Sequence, residues 1–402
     1  MNKSKFDIAI VGGGIIGLAT AFQFQIDFPD LNIVVFEKEK ELAFHQTGRN
    51  SGVIHSGLYY KPGSFKANNC VKGRKKLIEF AQQHDIDFDL CGKILVAVNQ
   101  EESKRLEQLK INGETNGLKG LKLLSANEFQ RIEPYAEGVK ALFVPEAGII
   151  NYKEVTNKLA EKIKLINFKS EIITNCEVLD YDNSNIKTLQ GDFQAKHIIF
   201  CGGLFSDRLA VQDKIKLDMQ IVSFRGDYFT LSERARLKVN NLIYPVPNVH
   251  FPFLGVHFTR MINGDIECGP NAVFSFKREG YSKTAFSIKD SFQALCFSGT
   301  QKLFINHWKF ALNEYVRAFS KSLFLKELQK IIPSLKIDDI IKARSGVRAI
   351  ALQNDGQIID DFKIVKNNNN IHVLNAPSPA ATACFAIAEQ ILKEAKEHFK
   401  LH

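Results

Sequence analysis

Two short apolar runs, separated by a glycine-rich turn and a helical stretch, open the chain. Ile8 to Val11 is wholly apolar, Leu18 to Phe28 has helical periodicity and ends before Pro29, and Ile33 to Phe36 is again apolar. An acid, Glu37, follows the second run. Strand, turn, helix and strand within about thirty residues predict a βαβ unit.

Further predicted helices and strands follow, as far as about residue 215. Helices are predicted at Lys75 to Gln83, Glu101 to Asn116 and Lys153 to Leu165, and strands at Ile94 to Val98, Glu171 to Tyr181 and Ala195 to Cys201. The last strand runs into Gly202 and Gly203, so a second strand of this chain ends in glycine.

The pattern changes between about 216 and 340. This region has an aromatic-rich alternation with frequent proline and glycine, as in Tyr244 to Thr259, and amphipathic helical stretches follow near 310 to 330. The chain then returns to a strand at Ile371 to Leu374, a Pro-Ser-Pro turn, and a helix from about Ala380 onward. We therefore predict a separate substrate-facing domain in the middle of the chain.

The first turn has the spacing of a dinucleotide site. Gly12 permits the tight turn, Gly14 lets a pyrophosphate approach the backbone, and Gly17 brings helix and strand together, so that the helix N-terminus can receive negative charge. Glu37 is placed to accept hydrogen bonds from a ribose diol and would repel the 2′-phosphate of NADP. The alternative is a glycine turn that serves packing alone.

The cofactor is predicted to be FAD rather than NAD, because the nucleotide domain is assembled from separated stretches. The predicted fold class is α/β, with a Rossmann-type FAD-binding domain and an α+β substrate domain on a mostly antiparallel sheet. The predicted boundaries are 1–85, 150–215 and 340–402 for the first domain, and 86–149 and 216–339 for the second.

Composition and charge narrow the class further. The chain has 402 residues, 45% of them hydrophobic and 24% charged, as in an ordinary globular protein. Seven scattered cysteines without paired spacing argue against a disulfide framework and a zinc site, and we predict no metal. The net charge of +9 favours contact with anionic lipid over nucleic acid. With no signal peptide expected, the prediction is a cytoplasmic protein that can lie on the inner face of the cell membrane.

One long motif resembles a known family. Residues 45–62 read HQTGRNSGVIHSGLYYKP, which is similar to the L-2-hydroxyglutarate dehydrogenase/oxidase family within the D-amino-acid-oxidase-like flavoprotein superfamily. Further similar blocks are FRGDY at 224–228, YPVP at 244–247, GVHFT at 255–259, GPNAV at 269–273, FKREGY at 276–281, GVRA at 346–349 and NAPSPAAT at 375–382. The resemblance implies FAD-dependent oxidation of L-2-hydroxyglutarate to 2-oxoglutarate, with electrons passed to a membrane quinone or to oxygen.

The resemblance also implies positions for the site. Oxidation of a 2-hydroxy acid needs a base and a cationic clamp for the carboxylate. Candidate catalytic residues are His55, His257 and Arg348, and candidate substrate ligands are Arg348, Tyr59, Tyr244 and Arg225, with Tyr60, Arg260 and Arg278 as further candidates. Candidate FAD ligands are Gly12, Gly14, Ile15, Ile16, Gly17, Glu37, Lys38, Thr47, Asn50, Ser51, Gly52, Val178, Cys201, Gly202, Gly346, Pro377, Ser378, Pro379, Ala380, Ala381 and Thr382.

Some assignments stay open at this point. Each histidine could instead order its loop or strand, and for His372 we favour a buried, hydrogen-bonded role. A helix beginning at Pro377 to Thr382 would direct N–H groups toward the flavin and stabilise its anionic reduced form, or it could merely pack. The alternative activities are oxidation of an amino acid or secondary amine by the same fold, and a flavin-binding scaffold or redox sensor without turnover.

Overall fold

The computed structural model describes residues 5–247 and 255–401, and of residues 309–313 the backbone only. The strands are β1 (Lys5–Val11), β2 (Ile33–Phe36), β3 (Val53–Ile54), β4 (Phe88–Asp89), β5 (Lys93–Ala97), β6 (Lys122–Ser125), β7 (Lys140–Val144), β8 (Gly148–Ile150), β9 (Glu171–Ile173), β10 (Val178–Asp182), β11 (Asn185–Thr188), β12 (Gly191–Phe200), β13 (Met219–Leu231), β14 (Leu242–Pro245), β15 (His257–Arg260), β16 (Ile266–Gly269), β17 (Val273–Phe274), β18 (Ile340–Gln353), β19 (Lys363–Asn367) and β20 (Asn370–Asn375).

The α-helices alternate with these strands. They are α1 (Ile15–Asp27), α2 (Phe65–Gln83), α3 (Gln100–Thr115), α4 (Ala126–Phe129), α5 (Tyr152–Ile166), α6 (Ser206–Gln212), α7 (Glu233–Arg236), α8 (Ile288–Cys296), α9 (Ser298–Phe319), α10 (Lys321–Gln329) and α11 (Cys384–Phe399). Short 3₁₀ turns lie at Gly203–Phe205 and Ile337–Asp339.

The first sheet carries the glycine turn. Parallel pairing links β9, β2, β1, β12 and β20 in that order, while β10, β11 and β19 add antiparallel strands. Strands buried on both faces read as continuous apolar runs, which explains Ile8 to Ile10 and Ile33 to Phe36, all almost fully buried. The helix α1 packs against α5 and α11 through side chains such as Leu18 and Phe24. The predicted βαβ unit is confirmed.

The second sheet is mostly antiparallel, as predicted. Its nine strands run β17-β13-β16-β15-β14-β5-β7-β6, with β18 paired to β13 along most of its length. The strand pair β14 and β5 is parallel and brings residues 93–96 beside 242–245. A third, small sheet consists of β3, β8 and β4, which pair in antiparallel fashion in that order.

Several predicted elements were wrong in their bounds. The helix predicted at Lys75 to Gln83 begins at Phe65, and the strand predicted at Ala195 to Cys201 begins at Gly191. The single strand expected at Glu171 to Tyr181 is two strands, β9 and β10, because the backbone between them turns at Asn175, where φ is +52°. The last helix starts at Cys384 rather than Ala380, since residues before it form a turn closed by the Ala383 N–H and the Pro379 carbonyl.

Two other expectations stay predictions. The alternation from Tyr244 to Thr259 forms β14 and β15, but residues 248–254 lie outside the described residues. The domain boundaries are not tested by the fold, although β18, expected within 340–402 of the nucleotide domain, is hydrogen-bonded into the second sheet.

Candidate active site

A cavity of about 990 Å³ opens where the carboxyl ends of β1 and β12 meet the second sheet. Its wall combines the glycine turn, the segment following Ala43, the loop after β12, and parts of β14, β15 and β18. The Asn375 to Ala381 segment closes another side. Ligands of open α/β sheets bind at such strand ends, so this cavity is the candidate active site.

The first and last glycines of the turn, Gly12 and Gly17, are fixed by close approach of the backbone. A Cβ on Gly12 would lie 2.4 Å from the Cys201 carbonyl oxygen, and φ at Gly12 is +120°. A Cβ on Gly17 would lie 2.0 Å from the Gly12 oxygen. Gly14 differs, because its Cβ would meet only the Thr47 hydroxyl, at 3.3 Å. Gly12 and Gly17 thus serve packing, whereas Gly14 keeps room open in the cavity.

Glu37 is held at the end of β2 by two backbone donors. The Gly13 N–H donates to Oε2 at 2.8 Å and the Glu39 N–H donates to Oε1 at 2.9 Å. The side chain lines the cavity although only 7% of the residue is exposed. Each carboxylate oxygen keeps a second lone pair, so the geometry suits a ribose diol.

Most of the predicted FAD ligands line this cavity. They are Gly12, Gly14, Ile15, Ile16, Gly17, Glu37, Lys38, Thr47, Asn50, Ser51, Val178, Cys201, Gly202, Gly346, Pro377, Ser378, Pro379, Ala380 and Ala381. Gly52 and Thr382 do not. The Gly52 N–H is bound by Asn50 Oδ1, and the Thr382 hydroxyl is hydrogen-bonded to Tyr152 Oη at 2.7 Å and accepts the His55 N–H at 3.1 Å. These two residues support the wall from behind.

The cavity fits the dinucleotide that its residues predict. The backbone at Gly14, which is the N-cap of α1, faces open space that a larger side chain would fill. The α1 N-terminus carries partial positive charge and has no acid in its first turn. With Glu37 for the ribose, residues of this chain can hold the pyrophosphate and ribose of FAD.

The candidate substrate residues meet at the end of the cavity formed by the second sheet. His55, Tyr59, Tyr244, His257 and Arg348 all line it. The His257 ring stacks on the Tyr244 ring with 4.0 Å between centroids, and its Nδ1 lies 2.8 Å from the Gly255 carbonyl oxygen. Because a carbonyl oxygen only accepts, Nδ1 carries the hydrogen and Nε2 keeps a lone pair.

Burial keeps both histidines neutral. Desolvation, followed by the charges of Lys93 and His257, lowers the pKa of His55 to about 3. Desolvation also lowers the pKa of His257 to about 4, with a further contribution from Arg348, while the Gly255 hydrogen bond opposes it. A neutral imidazole can take a proton, so each ring is chemically able to act as a base.

Arg348 extends from β18 to the same end of the cavity. Its Nη1 donates to the Asn271 carbonyl at 3.2 Å, and burial lowers the pKa of its guanidinium. A buried guanidinium is a strong ligand for a carboxylate because it can donate two parallel hydrogen bonds. Tyr59 and Tyr244 remain protonated beside it, since burial raises the pKa of both phenols.

The structure does not bring Arg225 to the cavity. Its Nε donates to Asp227 Oδ1 at 2.9 Å and its Nη1 to the Ser282 carbonyl at 2.7 Å. Residues two apart on a strand share a face, so Asp227 captures the arginine locally. Arg260 and Arg278 are likewise paired with carboxylates of Asp89 and Asp207.

His372 has the structural role that the sequence favoured. Its Nε2 lies 2.9 Å from Asp213 Oδ2, its ring stacks on Phe200, and the residue is 1% exposed. It does not line the cavity.

Sequence reasoning missed several cationic and polar residues at the site, among them Arg49, Lys66, His45 and Lys93. Arg49, Lys66 and His45 line the cavity, and Lys93 lies directly behind Tyr59 and Tyr244. Arg49 and His45 belong to the 45–62 motif, so the motif could have indicated them. Lys66 and Lys93 carry no local signal.

A hydrogen-bonded cluster borders the nucleotide end. Ligand atoms of Glu39, His45 and Glu279 lie within 4.8 Å of one another. The Lys38 ammonium donates to Glu279 Oε1 at 2.6 Å, and Tyr281 Oη lies 2.6 Å from His45 Nδ1. The Lys38 ammonium also lies 3.6 Å from Glu39 Oε1, so one cation is shared by the two acids of this cluster.

Comparison with known proteins agrees with this architecture. A family model described as FAD dependent oxidoreductase matches residues 7–393. The L-2-hydroxyglutarate dehydrogenase of Indibacter alkaliphilus is 43% identical over 98% of this chain and 100% of its own length. The mitochondrial L-2-hydroxyglutarate dehydrogenase of Homo sapiens is 42% identical over 100% of this chain and 90% of its own length.

Among solved structures, the dithionite-reduced, FAD-bound L-alpha-glycerophosphate oxidase of Mycoplasma pneumoniae has a TM-score of 0.79. It is 24% identical, and the match covers 98% of this chain and 95% of that one. Glycine oxidase from Geobacillus kaustophilus has a TM-score of 0.70 at 15% identity, covering 98% and 95%. These likenesses describe the fold.

Proposed function

This chain belongs to the FAD dependent oxidoreductase family, and we propose that it oxidises L-2-hydroxyglutarate to 2-oxoglutarate. The observation that carries this proposal is the group of cationic and hydrogen-bonding side chains at one end of the cavity, where Arg348, His257 and Tyr59 lie together. A small 2-hydroxy acid with an anionic carboxylate matches these donors in size and charge. The relatives that bear this activity in their names match over nearly the full chain.

The proposed roles follow from position. Arg348 binds the carboxylate next to the reacting carbon, and because Arg348 and His257 line the same end of the cavity, the adjacent hydroxyl comes near that imidazole. His257 Nε2 takes the hydroxyl proton, because Nδ1 is committed to the Gly255 carbonyl and the ring is neutral at physiological pH. The chemistry that FAD supplies when bound is acceptance of the C2 hydrogen with its electron pair. His55 and Tyr244 enclose the reacting groups and exclude water.

The test uses purified protein in the absence of oxygen. L-2-hydroxyglutarate, its D-enantiomer, L-lactate and glycine are added in turn while the visible absorption of the flavin is recorded. We expect L-2-hydroxyglutarate to bleach the flavin bands and the D-enantiomer and glycine to leave them unchanged. Bleaching by glycine would instead assign an amine substrate, and a protein that binds FAD but bleaches with none of the four would be a scaffold or sensor.

A matched pair of arginine variants sharpens this test. Arg348→Lys keeps the charge but loses the two-pronged geometry, so we expect KM for L-2-hydroxyglutarate to rise by about 10- to 100-fold. Arg225→Lys is the control, because Arg225 is buried but bonded to Asp227, away from the cavity. An Arg348→Lys variant whose KM equals that of wild type would contradict the clamp.

We further propose that electrons leave toward the bilayer, and that α8 rests on an anionic membrane surface. Ile288, Phe292 and Leu295 are 79%, 69% and 41% exposed, and their spacing places them on one face of this helix. Lys289, the residue after Ile288, lines the cavity, so this helix borders the site. No helix in residues 5–247 and 255–401 combines the length and apolar character needed to cross a bilayer.

Flotation with vesicles tests this contact. We expect wild-type protein to float with vesicles containing phosphatidylglycerol at low salt, and an Ile288→Ser/Phe292→Ser variant to remain below them. Phe168→Ser is the control, because Phe168 is 85% exposed on a different part of the surface. Equal flotation of both variants would refute the role of α8, and a wild-type protein that does not float would leave oxygen as the acceptor.

A further inference from the structure

Lys93 is a buried lysine at the start of β5. Only 1% of the residue is exposed, because β5 pairs on both sides with strands of the second sheet. Desolvating an ammonium group costs several kcal/mol unless a partner compensates it. A lysine held in this place therefore needs a partner of opposite charge or a function.

The contacts of Lys93 within the described chain are weak for a buried cation. Its Nζ donates to Tyr59 Oη at 3.3 Å and lies 4.5 Å from the Tyr59 ring centroid and 4.8 Å from that of Tyr244. No ion pair joins it to a carboxylate of residues 5–247 or 255–401. The ammonium is thus surrounded by neutral groups, and its positive charge is not balanced by any residue described.

Tyr59 connects this charge to the cavity. The phenol ring lines the cavity wall, whereas Lys93 itself lies behind it. Since the hydroxyl oxygen accepts from the ammonium, its own hydrogen is directed elsewhere. Burial holds the pKa of Tyr59 well above its usual value, so the hydroxyl keeps that hydrogen and can donate it.

We infer that Tyr59 and Lys93 form a subsite for the second carboxylate of a dicarboxylate substrate. Tyr59 donates a hydrogen bond to that carboxylate, and Lys93 is a positioning residue that holds the phenol in the donating orientation and supplies the balancing charge. This inference rests on the proposed function, in which Arg348 binds the first carboxylate. It explains how the site distinguishes a dicarboxylate from a 2-hydroxy acid with an apolar tail.

The groups that face Lys93 leave it as the one that titrates near neutrality. Burial lowers the pKa of His55 to about 3 and that of His257 to about 4. It raises the pKa of Cys70 to about 12, and it also raises the pKa of Tyr59 and Tyr244. Burial, partly offset by Cys70, lowers the pKa of Lys93 to about 7. Above that pH the neutral amine can accept the Tyr59 hydrogen, which turns the donor away from the cavity.

Binding of unreactive ligands to the FAD-loaded protein tests the subsite without relying on turnover. Glutarate has a carboxylate at each end and n-valerate has one, and perturbation of the flavin spectrum gives the dissociation constant of each. In wild type we expect glutarate to bind more tightly. Lys93→Met should weaken glutarate binding by about 10- to 100-fold, the value of a charge-assisted hydrogen bond, and change valerate binding by less than about twofold.

Two further readouts separate positioning from a structural effect. Tyr59→Phe should weaken glutarate to a similar extent, and the double variant should be no weaker than the weaker single variant, because both changes break one chain of contacts. Glutarate affinity of wild type should fall as pH rises above about 7, and this dependence should vanish in Lys93→Met.

The outcomes distinguish failure of the Tyr59–Lys93 subsite from failure of the proposed function. Equal loss of glutarate and valerate binding, or none, in Lys93→Met would overturn the subsite. If Lys93→Met fails to fold, Tyr59→Phe gives the same comparison with the lysine in place. A wild-type protein that shows the glutarate preference but is not reduced by L-2-hydroxyglutarate would refute the proposed function and keep the subsite.

Discussion

Gly14→Ala should separate the folding role of the glycine turn from its ligand role. In the chain itself the new methyl group meets one atom within 4 Å, the Thr47 hydroxyl at 3.3 Å, and φ at Gly14 is −80°, which alanine adopts readily. Loss of the glycine N-cap costs about 0.5 to 1 kcal/mol. The FAD-free protein should therefore unfold within a few degrees of wild type.

The cost in FAD binding should be larger. The methyl group points into the space where a pyrophosphate would approach the α1 N-terminus. Overpacking at a close contact costs about 1 to 3 kcal/mol, which corresponds to roughly 5- to 150-fold weaker binding. Flavin fluorescence released on dilution of the purified holoprotein gives the dissociation constant, and thermal unfolding of the FAD-free protein gives the stability.

Gly17→Ala is the matched comparison. Its Cβ would lie 2.0 Å from the Gly12 carbonyl oxygen, so α1 would have to move away from β1 by more than 1 Å. We expect that variant to lose stability even without FAD. A Gly14→Ala variant that binds FAD as tightly as wild type, or that destabilises the FAD-free protein as much as Gly17→Ala does, would contradict a ligand role for Gly14.

Three more predictions follow from buried charges. The pKa of Lys93 falls from 10.5 in the unfolded chain to about 7 in the fold, so the unfolded state binds more protons between these values and the unfolding free energy of wild type should rise from pH 7 to 10. Lys93→Met should lose Lys93's share of that rise. If urea titrations give both proteins the same increase of unfolding free energy with pH, this prediction is contradicted. Arg278→Met leaves the buried Asp207 carboxylate without its guanidinium partner, which should cost about 3 to 5 kcal/mol of unfolding free energy and lower Tm by about 4 to 6 °C. A decrease in Tm below about 1 °C in calorimetry would refute this prediction. His257→Gln should lower kcat at least about 100-fold with unchanged FAD absorption. The kcat of wild type should persist down to about pH 5, because the pKa of His257 is about 4. If stopped-flow measurements show that His257→Gln slows flavin reduction only twofold, another group takes the proton.

Local patterns were sufficient for the nucleotide half of the molecule. β1, the glycine turn, α1 and Glu37 are consecutive in the chain, and each has a signal of its own in apolar periodicity or glycine spacing. The boundaries were wrong where local patterns are ambiguous. Small residues before Cys384 fit a helix or a turn equally well, and Asn175 can occupy the left-handed region that interrupts a strand.

The substrate half depends on pairings that are distant in sequence. Lys93 precedes the apolar run Ile94 to Ala97 and looks like the solvated end of a strand, yet pairing of β5 with β14 and β7 buries it. Arg225 is the opposite case, because its sequestration by Asp227 follows from the two-residue period of a strand and could have been predicted.

The same burial that hides these residues explains how the site can prefer an anion. Arg348 and Lys93 have already lost their hydration in the folded chain, which is why their pKa values lie below the ordinary ones. An arriving carboxylate has to shed its own water, but the cations it meets were desolvated when the chain folded, so that cost does not recur at binding. A dicarboxylate uses this arrangement at both ends, through Arg348 and through the Tyr59–Lys93 subsite, whereas a monocarboxylate leaves Lys93 buried without a counterion. The preference for a second carboxylate therefore has its origin in the free energy of folding, and a change that rehydrates Lys93 should weaken it without touching the reacting carbon.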